Sequence, residues 1–306
     1  MPGPVGGDAS GREATIRPDA TTEGRCVGSG LGEQLATGSR SAVYAWGRDA
    51  VAKVPFESTP EEWILFEAHY TSAVRHSGAP APRFLGIETI AGRAASIYER
   101  VDGSSMWEHM IEQPARVPAY ARSLAELQAH LFALVPSVSL PVLGDRLTCK
   151  IRRAAALADP ALVAALELVG TSTPSRLCHG DLHPGNVIMS SAGPVLIDWF
   201  DAARGAPIAD VARTSLLLSA RAHGVTGPSH LPGSDPKLLD LARTAYLDAM
   251  ADLLDLDRDA LRRWEAVVAV ARVAEGIATS ALLAIWHDWR TGSEDEPIGA
   301  RAQLSL

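Results

Sequence analysis

Between Leu31 and Phe56 the apolar positions fall in short runs, Leu35-Ala36, Ala42 to Trp46 and Ala50 to Val54, parted by Gly38-Ser39-Arg40 and Gly47-Arg48-Asp49. Runs this short, broken by turn-forming residues, predict strands, and their close connections predict a small antiparallel meander. The period changes after Thr59-Pro60. Trp63, Phe66 or Glu67, Tyr70 and Val74 recur at helical spacing behind an acidic start, Glu61-Glu62, so a helix is expected from Pro60 to about Ser77. Ala94 to Val101 predicts another strand, ending at Asp102-Gly103, where a hinge between two lobes is expected.

Beyond Gly103 helical spacing prevails. It relates Leu124, Leu127, Leu131 and Leu134, then Leu239, Tyr246, Met250 and Leu253, then Trp264, Val268, Ala271, Leu282, Ile285, Trp286 and Trp289. The exception is Val187-Ile188-Met189 and Val195-Leu196-Ile197 around a Ser-, Gly- and Pro-containing centre, which reads as a hairpin turning near Ala192-Gly193. Residues 1–28 mix Gly, Pro, Ser, Thr and charges without apolar periodicity and read as a flexible leader. The expected organisation is α+β and bilobal: a strand-rich N-lobe of residues 29–101 with a small antiparallel sheet, and a larger, mostly helical C-lobe of residues 102–306.

A chain of 306 residues is long enough for two such lobes, and its 47% hydrophobic and 21% charged residues are those of a folded protein. Twenty-eight Lys and Arg against 36 Asp and Glu leave a net charge of −8, which argues against gripping nucleic-acid phosphates as the main task. Cys26, Cys149 and Cys178 are odd in number and form no CxxC pair, so neither a disulfide framework nor a zinc ribbon is expected, and a reducing cytoplasm fits. The uncharged stretch from Gly276 to His287 falls short of the ~20 apolar residues that a bilayer requires, and no membrane association is expected. Nothing in the pattern specifies an oligomeric state.

The chemistry concentrates in His179-Gly180-Asp181-Leu182-His183-Pro184-Gly185-Asn186 and, after the hairpin, Asp198. Positions 186 and 198 are symmetric about 192, so a hairpin turning there returns Asp198 to the end occupied by Asn186. A side-chain amide and a carboxylate meeting at that open end suit Mg²⁺, a hard cation that also takes waters and substrate phosphates. Asp181, on the intervening loop, is placed to accept a proton from a substrate hydroxyl beside the metal. Each of these residues alone is commonly a turn residue. The three together around one hairpin point to phosphoryl transfer.

HGDLHPGN followed by IDWFD resembles the catalytic and metal-binding segments of the aminoglycoside phosphotransferase family, small-molecule kinases related to the protein kinases, over about residues 31 to 220. The resemblance implies a protein-kinase-like fold, with Asp181 as catalytic base and Asn186 and Asp198 as Mg²⁺ ligands. Gly180 stands where a protein kinase has Arg, and Asp198-Trp199-Phe200 replaces Asp-Phe-Gly, which favours a small-molecule substrate. Val51 and Lys53 share one strand face; the resemblance puts Val51 on the adenine and Lys53 on the α- and β-phosphates of ATP, with GTP as an alternative. It pairs Lys53 with Glu67, for which Glu61 and Glu62 are alternatives. It makes Gly38 and Ser39 part of a phosphate-covering loop that lacks the full GxGxxG pattern. The main chain at Glu99 and Val101 is expected at the adenine, and Asp210 is either a brace for the catalytic loop or a first-turn helix acid. His179 reads as a loop brace, and His183 is left unassigned.

The acceptor region is expected between Asp102 and Pro174 and in the C-terminal helices. Asp252, Asp255, Asp257 and Asp259 form an acidic stretch that is either a substrate pocket or a solvated face, and Glu275, Trp286 and Trp289 are further candidates. The expected activity is ATP- and Mg²⁺-dependent O-phosphorylation of a small hydroxylated molecule, an antibiotic or a metabolite. A nucleotide-binding pseudokinase and a protein kinase are the alternatives.

Overall fold

A computed structural model describes residues 30–154, 176–223, 235–276 and 279–292, with 166, 167, 169, 231 and 233. The expected leader and Cys26 lie outside them. Strands β1 (Leu31–Thr37), β2 (Ser41–Trp46) and β3 (Ala50–Pro55) form the expected meander, but the sheet has five strands, in the order β1-β2-β3-β5-β4, all antiparallel. β4 (Phe84–Ile90) escaped the apolar pattern because Gly86, at φ +156°, interrupts its alternation and shifts its register against β5 (Arg93–Glu99). β5 ends two residues before the expected Val101. Ala50, Ala52 and Ile97 form a small core on this sheet.

Helix α1 (Glu61–His76) follows β3 and carries acids in its first turn and Arg75 and His76 in its last, which suits the helix dipole. Its buried stripe is Ile64, Glu67, Ala68, Thr71 and Val74, whereas Phe66 faces outward and stacks on Tyr70. The inward residue at this turn is therefore Glu67. After α1, the Pro80 carbonyl accepts the Leu196 N–H at 2.7 Å and ties the connection to the hairpin beyond.

At Asp102-Gly103 the chain enters β6 (Ser104–Ser105) and α2 (Met106–Glu112), where Ser105 and Glu108 form a reciprocal capping box. A Cβ on Gly103 would lie 2.4 Å from the Met189 carbonyl oxygen, so glycine is required where this segment crosses the hairpin. α3 (Val117–Ala133) and α4 (Leu143–Ala154) come next, then β7 (Arg176–Cys178), the hairpin β8 (Val187–Ser190) and β9 (Gly193–Leu196), and β10 (Ala203–Gly205), which pairs with β7. β6 adds to β8 to make a three-stranded sheet.

The described chain closes with α5 (Pro207–Leu217), the short α6 (Ala220–His223), α7 (Pro236–Leu254), α8 (Arg258–Val273) and α9 (Thr279–Thr291). Leu124, Leu131, Tyr246, Met250, Trp199 and Trp286 are fully buried in one continuous core. Among the described residues no helix is long and apolar enough to cross a membrane.

The hairpin differs from expectation by one residue. Val187 pairs with Leu196 and Ser190 with Gly193, and the Asn186 carbonyl accepts from Ile197, so Asn186 stands opposite Ile197 and not Asp198. The turn uses only Ser191-Ala192 between paired positions, and this shortens the return strand. Asp198 lies one step past the ladder.

Candidate active site

Lys53 on β3 faces Ser96 on β5, and its ammonium meets two carboxylates from distant parts of the chain: Glu67 Oε1 of α1 at 2.5 Å and Asp198 Oδ1 at 3.2 Å. Glu61 and Glu62 are exposed at the start of α1. Burial disfavours the Lys53 cation, yet Asp198 and Glu67 outweigh it and raise its pKa above the ordinary lysine value. Burial alone would raise the Asp198 carboxyl; Lys53 outweighs that and holds it below the usual carboxylate range. Asp198 is thus an anion in the folded protein.

Its backbone is also unusual. Asp198 adopts φ 62°, ψ 65°, the left-handed region that costs most side chains about 1 kcal/mol and that Asp and Asn tolerate best. The turn takes the chain out of β9 and into a helical turn, Trp199–Asp201. Trp199 holds this turn in place: it is fully buried, packs on His179 with ring centroids 4.4 Å apart and donates from Nε1 to the Leu196 carbonyl at 2.8 Å. The aromatic following Asp198 is therefore a core anchor.

The loop bearing Asp181 is held by its backbone. Asp210, in the first turn of α5, accepts the His179 N–H at 3.1 Å and the Gly180 N–H at 2.8 Å, and Gln128 of α3 donates to it at 2.9 Å. Tyr246 donates in turn to Gln128. Asp210 so occupies both expected places, first-turn acid and loop partner. The His179 ring joins the same network: its Nε2 lies 3.1 Å from the Ile197 carbonyl and its Nδ1 accepts the Asp181 N–H at 3.3 Å.

Gly180 explains the missing arginine. It sits at φ +80°, and a Cβ there would lie 2.2 Å from the Asp201 carbonyl oxygen. No side chain fits between these backbones. Gly180→Ala is expected to cost about 2–3 kcal/mol, lowering the melting temperature by roughly 4–10 °C. A melting curve coincident with wild type would show that the loop relaxes freely.

Asn186 ends the helical turn Pro184–Asn186, and its Nδ2 donates to the Asp181 carbonyl at 3.0 Å, leaving its amide oxygen as the free end. His183 caps the same turn by accepting the Gly185 N–H at 3.1 Å on Nδ1. Burial lowers the His183 pKa from 6.5 to about 4. The unfolded chain then binds a proton near pH 6.5 that the folded chain takes only near pH 4, so stability rises with pH across that window and falls on acidification. About 2 kcal/mol is expected to be lost between pH 7 and pH 5, and His183→Gln should flatten the slope of melting temperature against pH. His223, lowered in the same direction, leaves a residual slope.

Two side chains absent from the motif complete the site. Arg213 of α5 donates to Asp181 Oδ1 at 2.8 Å and makes two bonds to Glu275, at 2.9 and 3.1 Å. Despite burial, Arg213 and then Lys150 and Arg272 draw the Glu275 carboxyl down to about 2. Arg40, in the turn closed by the Gly38 N–H on the Ser41 carbonyl, places its guanidinium 4.3 Å from the centre of the Phe200 ring and so joins the exposed Gly38-Ser39 loop to the Asp198 segment. Nothing in the local pattern distinguished these two arginines from solvated ones.

Val51 is half-buried opposite Tyr98. The Glu99 N–H already donates to the Arg83 carbonyl at 2.9 Å, and Val101 follows beyond the strand. The acidic stretch serves the helix ends: Asp255 is the left-handed C-cap of α7, Asp257 caps α8, and Asp252 and Asp259 pair with exposed arginines. Trp286 is buried and packs against Trp289.

Residues 32–228 match the model of the phosphotransferase enzyme family. The chain belongs to that family. No curated protein matches it in sequence. Among solved structures, this phosphotransferase is similar to an aminoglycoside 3'-phosphotransferase of type VIII, at 20% identity over 78% of this chain and 91% of that one, with a TM-score of 0.52. A thermostable mutant of aminoglycoside phosphotransferase APH(4)-Ia, in ternary complex with ADP and hygromycin B, shows 17% identity over 87% and 95% of the chains, with a TM-score of 0.57. A choline/ethanolamine kinase family protein from Mesorhizobium loti shows 14% identity over 89% and 90%, with a TM-score of 0.52. At these identities the likeness is one of fold: a five-stranded antiparallel sheet followed by a helical part.

Proposed function

We propose that the chain transfers the γ-phosphate of ATP to a hydroxyl of a small molecule, in the presence of Mg²⁺, within a two-lobed body divided near residues 101 and 102. The observation that carries this reading is the convergence of Lys53, Glu67 and Asp198, with Asp181 and Asn186 joined to each other by a hydrogen bond on the adjoining loop. Lys53, held charged, binds the α- and β-phosphates, and Glu67 fixes its direction. Asp181 receives the acceptor's proton and orients its oxygen, while Arg213 holds the carboxylate in place.

The donor set fits Mg²⁺. No group of three or more His, Cys, Asp or Glu that could hold a metal occurs among the described residues, but Mg²⁺ bound with substrate phosphates needs only one or two protein oxygens. The Asn186 amide oxygen and the ionised Asp198 carboxylate supply them. When bound, the ion neutralises charge on the β- and γ-phosphate oxygens.

The test is ADP release from Mg²⁺-ATP over a panel of hydroxylated amines, sugars, amino acids and antibiotics, with Lys53→Ala as the control. Acceptor-dependent release is expected, with kcat/KM for ATP lowered roughly 10²-fold in the variant. Release indifferent to every acceptor and to Lys53 would favour a pseudokinase.

A further inference from the structure

Behind the Asp181 loop, α4, α5 and α8 enclose a cavity of about 30 Å³ that Gly180 borders. Four cations line it, Arg146, Lys150, Arg213 and Arg272, together with the carboxylates Asp201, Asp210 and Glu275. The three carboxylates are committed, Asp210 to the N–H groups of His179 and Gly180 and to Gln128. Glu275 takes both bonds from Arg213, one from Lys150 at 3.2 Å and one from Arg272 at 3.3 Å; Asp201 takes one from Arg146 at 3.2 Å and lies 3.5 Å from Lys150. The donors are not. Arg272 Nη1, Arg213 Nε and Arg146 Nε are buried with no hydrogen-bond partner among the described residues, and Arg272 is only 1% exposed.

A buried guanidinium N–H without an acceptor is destabilising, and planar guanidinium donors match a carboxylate best. The cavity has room for about two water-sized groups, the size of the two oxygens of one carboxylate. Arg213 links this cavity to the proposed base, since its Nη2 holds Asp181 Oδ1 at 2.8 Å while its Nε is unpartnered.

We propose that the cavity receives a carboxylate carried by the acceptor, so that the acceptor is a small hydroxy acid or hydroxylated amino acid and not a polycation. The inference rests on the phosphotransfer reading for the word acceptor, and on the unpartnered donors for the word carboxylate. An acid anchored on Arg272 and Arg213 has its hydroxyl within a short carbon chain of Asp181.

The experiment uses the full chain, as wild type, Arg272→Gln and Arg272→Lys. Melting temperature is measured with sodium acetate or formate against chloride at equal ionic strength, with and without Mg²⁺-ATP, and the acceptor panel is scored for ADP release. Acetate or formate at about ten times its dissociation constant is expected to raise the wild-type melting temperature by roughly 3 °C. Arg272→Gln should lose that increment while keeping the Mg²⁺-ATP shift, and KM for acidic acceptors should rise on the order of tenfold. Should Arg272→Gln fail to fold, Arg272→Lys decides, because it keeps the charge and loses the planar donors. Equal carboxylate shifts in wild type and Arg272→Lys, a response to inorganic phosphate but not to acetate, or a preference for aminoglycosides over hydroxy acids would each overturn the inference. A chain without a Mg²⁺-ATP shift fails the phosphotransfer reading. One that shows the shift but does not distinguish acetate from chloride fails this inference alone.

Discussion

Asp181→Asn is expected to lower kcat by on the order of 10²- to 10⁴-fold while leaving Mg²⁺-ATP affinity within about twofold. The amide keeps the shape of the side chain, and its oxygen can still accept from Arg213, which now donates at 2.8 Å. The backbone is unaffected, because the loop is held by Asp210 through the N–H groups of His179 and Gly180. What is lost, on the proposed role of Asp181, is the proton acceptor and one negative charge beside the acceptor hydroxyl. Binding and chemistry should therefore separate. Single-turnover phosphorylation at saturating Mg²⁺-ATP, read beside nucleotide affinity, makes the measurement. A turnover near that of wild type would remove Asp181 from the reaction and leave positioning to Lys53 and the metal ligands.

Asp198→Asn should abolish the part of ATP affinity that depends on Mg²⁺, and lower kcat about 10³-fold. Asn is a cleaner probe than Ala, because the left-handed backbone at φ 62° is tolerated by Asn and strained for Ala. The fold should persist, with Trp199 still anchored on the Leu196 carbonyl and His179. Lys53 would keep Glu67 at 2.5 Å and lose the partner at 3.2 Å. Calorimetric titration of ATP with and without Mg²⁺ separates the two contributions. If Mg²⁺ strengthens ATP binding equally in variant and wild type, Asp198 is not a metal ligand.

The apolar runs on either side of Ser190 to Pro194 were enough to place a two-stranded return, but register depends on which residues the turn consumes. Here Ser191-Ala192 sufficed, and Asn186 came to face Ile197. Asp198 reaches Lys53 from beyond the ladder through its own left-handed turn, a backbone state that leaves no mark in hydrophobic periodicity. Glu67 came from the family resemblance, because helical spacing alone left Phe66 and Glu67 as alternatives; the structure puts Glu67 on the buried stripe with Val74, where its carboxylate meets Lys53.

The chain by itself determined the β1–β3 meander, helix α1, the β8–β9 return, the loop from His179 to Asn186 and the lysine on β3, because each is written in residues close together in sequence. Only the tertiary structure decided that Arg213 holds Asp181, that Asp210 takes two backbone N–H groups of the loop and that Gln128 and Tyr246 stand behind it. The same is true of Gly180, whose need for a bare Cα comes from Asp201 passing against it, and of the acidic residues 252 to 259, which went to helix ends and solvent. Local periodicity reports which face of an element is buried. The partner that meets a buried charge is set by how separate elements pack, over separations such as the 145 residues between Lys53 and Asp198.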